Sequence, residues 1–280
     1  MAYFNPPSLE DALDLAATPG RRIIAGGTDF YPAQGDRPLR DDVIDIAGLE
    51  ELRGISEDGE HVRIGAAATW TDLIRTPLPA CFDGLKLAAR EVGGIQIQNA
   101  ATVVGNLCNA SPAADGVPPL LTLDAEVELR STSGRRRLPL GDFITGNRAT
   151  ALGDGEIVTA VLVPKAADTA LSDFLKLGAR SYLVISIVMV ATLIVPAGDG
   201  TVAEARVAVG ACSPVAQRLP GLEAGLAGAP LDASLGTRVT PDHLAPLSPI
   251  DDVRATAAYR LDAAGTLIAR TLRRCAGGAA

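Results

Sequence analysis

Two glycine-bearing stretches carry the residue types from which a site for a phosphorylated ligand is built. The first is AGGTDF, Ala25 to Phe30, which follows the apolar pair Ile23-Ile24. Glycines at Gly26 and Gly27 permit positive φ and let backbone N–H groups approach an anion closely, and Thr28 adds a hydroxyl donor. Asp29 would repel a phosphate and suits a ribose hydroxyl, a ring N–H or the loop itself. On these residues alone, a glycine turn with Asp29 capping the next segment explains the pattern as well. The second stretch is NAATVVGNLCNASPAAD, Asn99 to Asp115, where Thr102, Gly105, Asn106, Asn109 and Ser111 gather small polar groups before Asp115. It is too polar for a buried strand and too apolar for a surface linker. A backbone lying against an extended ligand fits it, as does a well-satisfied loop beside the core. Two such loops in one chain favour a dinucleotide.

Other chemistries find little to stand on. The chain has no GxGxxG, no P-loop lysine followed by Ser or Thr, and no GxSxG, HExxH or EF-hand loop. Cys81, Cys108, Cys212 and Cys275 are widely spaced, and neither His61 nor His243 adjoins a cysteine pair. Zinc or a cysteine-ligated cluster within this chain is therefore not expected, and four reduced, mostly buried thiols are. The 280 residues carry a net charge of −8, with 22 arginines and only three lysines, Lys86, Lys165 and Lys176, and no obvious basic face. That argues against nucleic acid as a partner. The longest apolar run, Leu183 to Val195, is short for a bilayer span, and the acidic start MAYFNPPSLEDALDLAATPG lacks the features of a leader. A cytoplasmic protein without a transmembrane segment is the expectation.

The elements that must position the two loops follow from pattern. Ser8 reads as the N-cap of a helix whose apolar face is Leu9, Ala12, Leu13, Ala16 and Ala17, closed by Gly20. RIIA then forms a short buried strand, and a second strand lies around Val43 to Ile46. VRIGAAATW is a strand, with Thr69 or Thr71 capping the TDLIRT helix; GLKLAAREVG is helical, with Leu85, Leu87, Ala88 and Val92 apolar. AEVELRSTSGRRRLPL alternates as a hairpin around a Ser-Gly turn, leaving Arg135-Arg136-Arg137 as solvated surface, and EIVTAVLVP is a further strand. The small, polar PKAADTALSD predicts a domain boundary at about residue 168. Beyond it come strands at DFLKLGA, VISIVMVATLIV and AEARVAVGA, a helix from Pro214 to about Leu226, and a last helix from near Asp251. The stripe of that last helix is Val253, Ala257, Leu261, Ala264, Ile268 and Leu272.

In this order, IIAGGTDF and ATVVGNLCNASPAAD resemble the FAD-binding (medium) subunit of the molybdenum hydroxylase family, which is similar to the carbon monoxide dehydrogenase medium subunit and the xanthine dehydrogenase FAD domain. The resemblance continues through EIVTAVLVP, KLGAR, VAVGACSPVAQRL and DDVRATAAYR. It implies an α+β fold: a two-subdomain FAD-binding domain of the vanillyl-alcohol-oxidase/PCMH type over 1–168, divided near residue 55, then a C-terminal domain over 169–280 with a three-stranded antiparallel sheet and helices. It implies that the segment from Ile24 and Ala25 through Gly26, Gly27, Thr28 and Asp29 cradles the FAD pyrophosphate, with Phe30 toward the flavin. Thr102, Val104, Gly105 and Asn106 would complete the cradle. Asp115 would accept from the adenosine part, Val158 would lie against the adenine, and Lys176 by the flavin ring. The family usually reads Thr-x-Gly-Gly where this chain has Thr102-Val103-Val104-Gly105; an extended backbone at Val104 is expected to accommodate the valine. Phe30 and Tyr31 stand where aliphatic residues are common.

The resemblance further implies non-covalent FAD and a 2Fe–2S small subunit and a molybdenum-pterin large subunit as partners, in a dimer of heterotrimers. NAD or another acceptor would take the electrons. A self-sufficient flavin oxidoreductase resembling the enolpyruvyl reductase of cell-wall synthesis is the alternative, and no convincing proton donor for it is found. Tyr31 and Phe82 are expected among the apolar residues facing a partner.

Overall fold

The computed structural model describes residues 1–165 and 169–277, so the boundary expected at about residue 168 lies outside the described residues. The first sheet is small: β1 (Tyr3–Phe4), β2 (Arg22–Ile24) and β3 (Val43–Asp45) run parallel in the order β1-β3-β2. The Leu9–Ala16 helix packs on it. Ser8 Oγ accepts from Asp11 N at 3.1 Å, and Leu9, Ala12, Leu13 and Ala16 are buried. This N-cap removes one orphan amide of the first turn.

The second sheet has five antiparallel strands: β4 (Ile55–Asp58), β5 (His61–Gly65), β6 (Glu126–Ser131), β7 (Gly134–Pro139) and β10 (Ile157–Pro164), ordered β4-β5-β10-β6-β7. β8 (Ile144–Gly146) and β9 (Ala149–Thr150) form a separate two-stranded ribbon. β10 is central and buried along nearly its whole length, which explains its apolar run, interrupted only by Thr159, where β4 and β7 carry exposed charge. As expected, β6 and β7 form the hairpin, and Thr69 caps the Trp70–Arg75 helix through a full capping box with Asp72.

The third sheet comprises β11 (Leu171–Leu177), β12 (Val188–Pro196), β13 (Val202–Gly210) and β14 (Gln217–Arg218). Three long antiparallel strands are as expected; the two-residue β14 is an addition. It takes Gln217 and Arg218 out of the helix expected from Pro214, which instead begins at Pro220 and ends at Leu226. Proline at the first turn suits a helix start, and pairing with Ala208 and Val209 satisfies the residues before it. The last helix is Ala257–Cys275, capped by Thr256, and so starts later than expected. Val253 lies outside it and is 99% exposed, whereas Ala264, Ile268 and Leu272 are buried against the sheet. Asp251 and Asp252 instead fold a preceding turn by accepting from Ala257 N, Arg254 N and Ala255 N.

The N-terminal and C-terminal parts are tied in several places, two of them at helices. The Asp83–Glu91 helix lies on β11 so closely that a Cβ at Gly84 would come 3.0 Å from the Asp173 carbonyl oxygen, and Gly84 N donates to Ser172 Oγ at 2.8 Å. At the C-terminal end of the Val117–Thr122 helix, Arg206 donates to Thr122 O and Arg218 to Leu121 O, and both pair with Asp124. Arginines are well placed there because last-turn carbonyls lack intrahelical partners and carry the negative end of the helix dipole.

Candidate FAD site

The first loop leaves β2 at Ile24, which is buried, and its two glycines serve different needs. Gly27 has φ of 67°, a left-handed conformation that costs a residue with a side chain roughly 1–2 kcal/mol. Gly26 has no positive φ; it is needed for contact. A Cβ there would lie 2.0 Å from the Ala100 carbonyl oxygen, so Gly26 is pressed against the backbone just before Thr102. The N–H groups of Gly26, Gly27, Thr28 and Asp29 donate to no acceptor among the described residues. Asp29 is exposed and stands before the short Phe30–Gln34 helix without a side-chain capping bond. Phe30 and Tyr31 pack edge to face, with centroids 5.3 Å apart.

The second loop differs from expectation. Val103–Asn109 is an α-helix, with Thr102 Oγ1 accepting from Gly105 N at 2.9 Å as its N-cap. Val104 is therefore helical rather than extended, has no positive φ, and is 4% exposed in the core. The valine is accommodated because its side chain fills a buried position on the inner face, while Gly105 is turned outward. Thr102 is bridged to Thr69, Trp70 N donates to Ala101 O, and Val103 N donates to Ala68 O. Asn106 Oδ1 accepts from Gly116 N at 3.3 Å, joining the helix to the segment after Asp115. The result is a loop of unpaired amides set against a capped helix start through the Gly26–Ala100 contact. Backbone donors and a helix N-terminus are what a pyrophosphate requires, so these residues fit FAD.

Asp115 and Lys176 are brought together. Lys176 Nζ lies 2.7 Å from Asp115 Oδ2 and 3.3 Å from Glu91 O; Ser186 Oγ donates to Asp115 Oδ1 at 2.7 Å. Asp115 and Ser186 are buried, and the Lys176 side chain is only 4% exposed. Burial pushes the Asp115 carboxyl above its ordinary range, opposed by the ammonium and the hydroxyl. The resemblance assigned these residues to opposite ends of the cofactor; the structure places them in one ion pair. Ser186 escaped the sequence reading because it sits in the apolar run VISIVMVATLIV, expected to be strand throughout, whereas β12 starts only at Val188. Val158 sits at a register shift of β10 and is 4% exposed in the core. Phe82 is 1% exposed and belongs to the core, not to a partner surface; Tyr31 is 51% exposed.

Among the described residues no group of three or more His, Cys, Asp or Glu side chains is arranged to hold a metal ion, and no helix is long and apolar enough to cross a membrane. Cys81, Cys212 and Cys275 are buried and Cys108 is exposed, and all four are thiols.

Comparison with known proteins agrees with an FAD-binding fold. Residues 1–166 match the FAD binding domain in molybdopterin dehydrogenase, and residues 173–275 match the CO dehydrogenase flavoprotein C-terminal domain. The chain is 32% identical over 279 residues to the xanthine dehydrogenase FAD-binding subunit of Escherichia coli O157:H7, covering 97% of this chain and 94% of that protein. It is 29% identical to the carbon monoxide dehydrogenase medium chain of Hydrogenophaga pseudoflava, covering 98% of each. Quinoline 2-oxidoreductase from Pseudomonas putida 86 superposes with a TM-score of 0.91 at 27% identity, over 99% of this chain and 97% of that one. The chain belongs to the family of FAD-binding subunits of molybdopterin dehydrogenases. It is an FAD-dependent oxidoreductase subunit of the xanthine and carbon monoxide dehydrogenase type.

Proposed function

We propose that this chain is the electron-transfer subunit of a cytoplasmic, heteromeric molybdenum hydroxylase, receiving electrons from 2Fe–2S clusters on a small partner and delivering them to NAD or another acceptor. The observation that carries the reading is the loop of unpaired amides at Gly26 to Asp29, held against the Thr102-capped helix. It is supported by family likeness along nearly the whole chain and by relatives named as medium or FAD-binding subunits. The spaced cysteines offer no cluster site, so the iron–sulfur and molybdenum pterin cofactors belong to a small and a large partner, in a dimer of heterotrimers. We divide the chain into an FAD-binding part up to about residue 168, with subdomains meeting near residue 55, and a C-terminal part beyond.

FAD, when bound, supplies the conversion between single-electron arrival and two-electron delivery. The chain's own residues do the rest. Amides of residues 26–29 and the Thr28 hydroxyl hold the pyrophosphate, and the helix start at Thr102 to Asn106 balances its charge. Asp29 serves a ribose hydroxyl. We assign the Asp115–Lys176 pair to the flavin end. Lys176 spends two of its three donors on Asp115 and Glu91 O, which fixes its ammonium and leaves one donor for an acceptor on the cofactor. Asp115 then orients Lys176 rather than binding adenosine, and the adenine lies toward β10 near Val158.

The bond to FAD is non-covalent, because His61 and His243 both stand outside the two loops. Acid precipitation of the purified protein should release all flavin to the supernatant; yellow colour left on the pellet sinks this. The likeness over both parts of the chain favours the subunit over a self-sufficient reductase.

A further inference from the structure

Arg260 is buried in the last helix, 3% exposed, and reaches toward the candidate site without touching it. Its Nη1 donates to Ile187 O at 2.5 Å and Ala211 O at 3.2 Å, and its Nη2 donates to Asp252 Oδ1 at 2.8 Å. Its Nε is buried without an acceptor among the described residues. Burying a guanidinium costs several kcal/mol unless it is paired and hydrogen-bonded, so both carbonyl contacts help hold it there.

Both carbonyls belong to segments hydrogen-bonded to Asp115 or to the turn before it. Ile187 follows Ser186, whose hydroxyl donates to Asp115 Oδ1, and Ile187 N donates to Leu177 O, the neighbour of Lys176. Ala211, held at a left-handed φ of 61°, donates its N–H to Pro112 O at 2.9 Å, three residues before Asp115. One side chain thus grips the two backbone segments that set Ser186 and the 112–115 turn. A methyl-bearing residue at positive φ is strained, so Ala211 stays there only because its surroundings hold it.

We propose that Arg260 is a positioning residue for the flavin site: by joining the Ile187 and Ala211 carbonyls it sets the Ser186–Asp115–Lys176 chain and, through it, FAD affinity and flavin potential. The proposal rests on the assignment of the Asp115–Lys176 pair to the FAD site.

The test uses the full chain, with Arg260→Met, Arg260→Lys, Ser186→Ala and Arg260→Met/Ser186→Ala, measuring FAD dissociation by flavin fluorescence, the flavin midpoint potential, and apo-protein melting. Arg260→Met is expected to weaken FAD about tenfold and to shift the potential in the same direction as Ser186→Ala. The double variant should be no weaker than the weaker single, because residues acting through one network are not additive. Arg260→Lys keeps the charge but cannot span both carbonyls, so its affinity falls between wild type and Arg260→Met. If either folded Arg260 variant loses melting temperature but keeps wild-type FAD affinity and potential, or if the effects of Arg260 and Ser186 multiply, the proposal is overturned. Should Arg260→Met fail to fold, Arg260→Lys, alone and combined with Ser186→Ala, decides by the same criteria. Asp115→Asn separates the two levels. If it leaves FAD affinity and potential unchanged, the site assignment fails. If it alters them while Arg260 does not couple to Ser186, only the role of Arg260 fails.

Discussion

Lys176 on β11 and Asp115 on the loop after the Val103–Asn109 helix meet at 2.7 Å inside the protein, although 61 residues separate them in the chain. A buried ion pair with one partner removed leaves an uncompensated charge, which typically costs about 3–5 kcal/mol. Lys176→Met should therefore destabilise the apo-protein by roughly that amount, and Lys176→Met/Asp115→Asn should recover most of it. Lys176→Met that still binds FAD should also make the reduced flavin harder to form and slow delivery to the acceptor. Urea denaturation and flavin potentiometry measure the two effects. Equal stability of the single and double variants would argue against the pair; an unchanged potential would remove Lys176 from the flavin.

The two loop glycines should fail differently. Gly26→Val puts a Cβ into the Ala100 carbonyl, so it separates the two loops and should abolish FAD binding, with loss of stability. Gly27→Ala meets the Tyr31 ring, an exposed side chain able to move, and carries mainly the cost of φ, about 1–2 kcal/mol. It should fold and bind FAD more weakly. Asp58→Ala, at an exposed position of β4, is the control. Flavin content after purification is the measurement, and a Gly26→Val protein replete with FAD refutes the cradle.

Acid should loosen the turn that holds Arg260. The Arg254 amide, together with the Arg260 and Arg254 guanidinium groups and the Ala255 amide, holds the Asp252 carboxyl below the usual range despite desolvation. A carboxyl with folded pKa below its unfolded value stabilises the fold above the unfolded pKa, near 3.8, and loses that contribution as pH falls toward the folded value. Melting temperature of the wild type should thus fall more steeply below about pH 4 than that of Asp252→Asn. Parallel curves would show that Asp252 contributes nothing to acid sensitivity.

Expressed alone, the chain should show no hydroxylase activity. Coexpressed with a 2Fe–2S subunit and a molybdenum subunit, it should enter one hetero-oligomer. Tyr31, exposed beside the first loop, is a candidate contact, and Tyr31→Asp should weaken assembly while leaving FAD bound. Native mass spectrometry and turnover check this. A flavin-replete monomer that oxidises an organic substrate unaided would overturn the assigned role.

Local pattern sufficed for much of this protein. The Ser8 and Thr69 caps, the β6–β7 hairpin and the Ala264-Ile268-Leu272 face all follow from spacings of two, three or four residues, which the backbone imposes within each element. The two glycine loops were visible for the same reason, and their order in the chain pointed to the family. What the neighbourhood along the chain does not contain, it could not supply. Val104 turned out helical because Thr102 caps a first turn whose inner face is buried, and Gln217-Arg218 became a strand because β13 offered an open edge. Val253 left the final helix because Asp251 and Asp252 fold a turn before it. Only the packed fold set Asp115 between Ser186 and Lys176, 71 and 61 residues away, and placed Arg260 behind them. Such contacts depend on how the Asp83–Glu91 helix, the loop at Asp115 and the last helix meet the C-terminal sheet. No residue carries that information in its local spacing, because it arises from burying one sheet's side chains against another part of the chain.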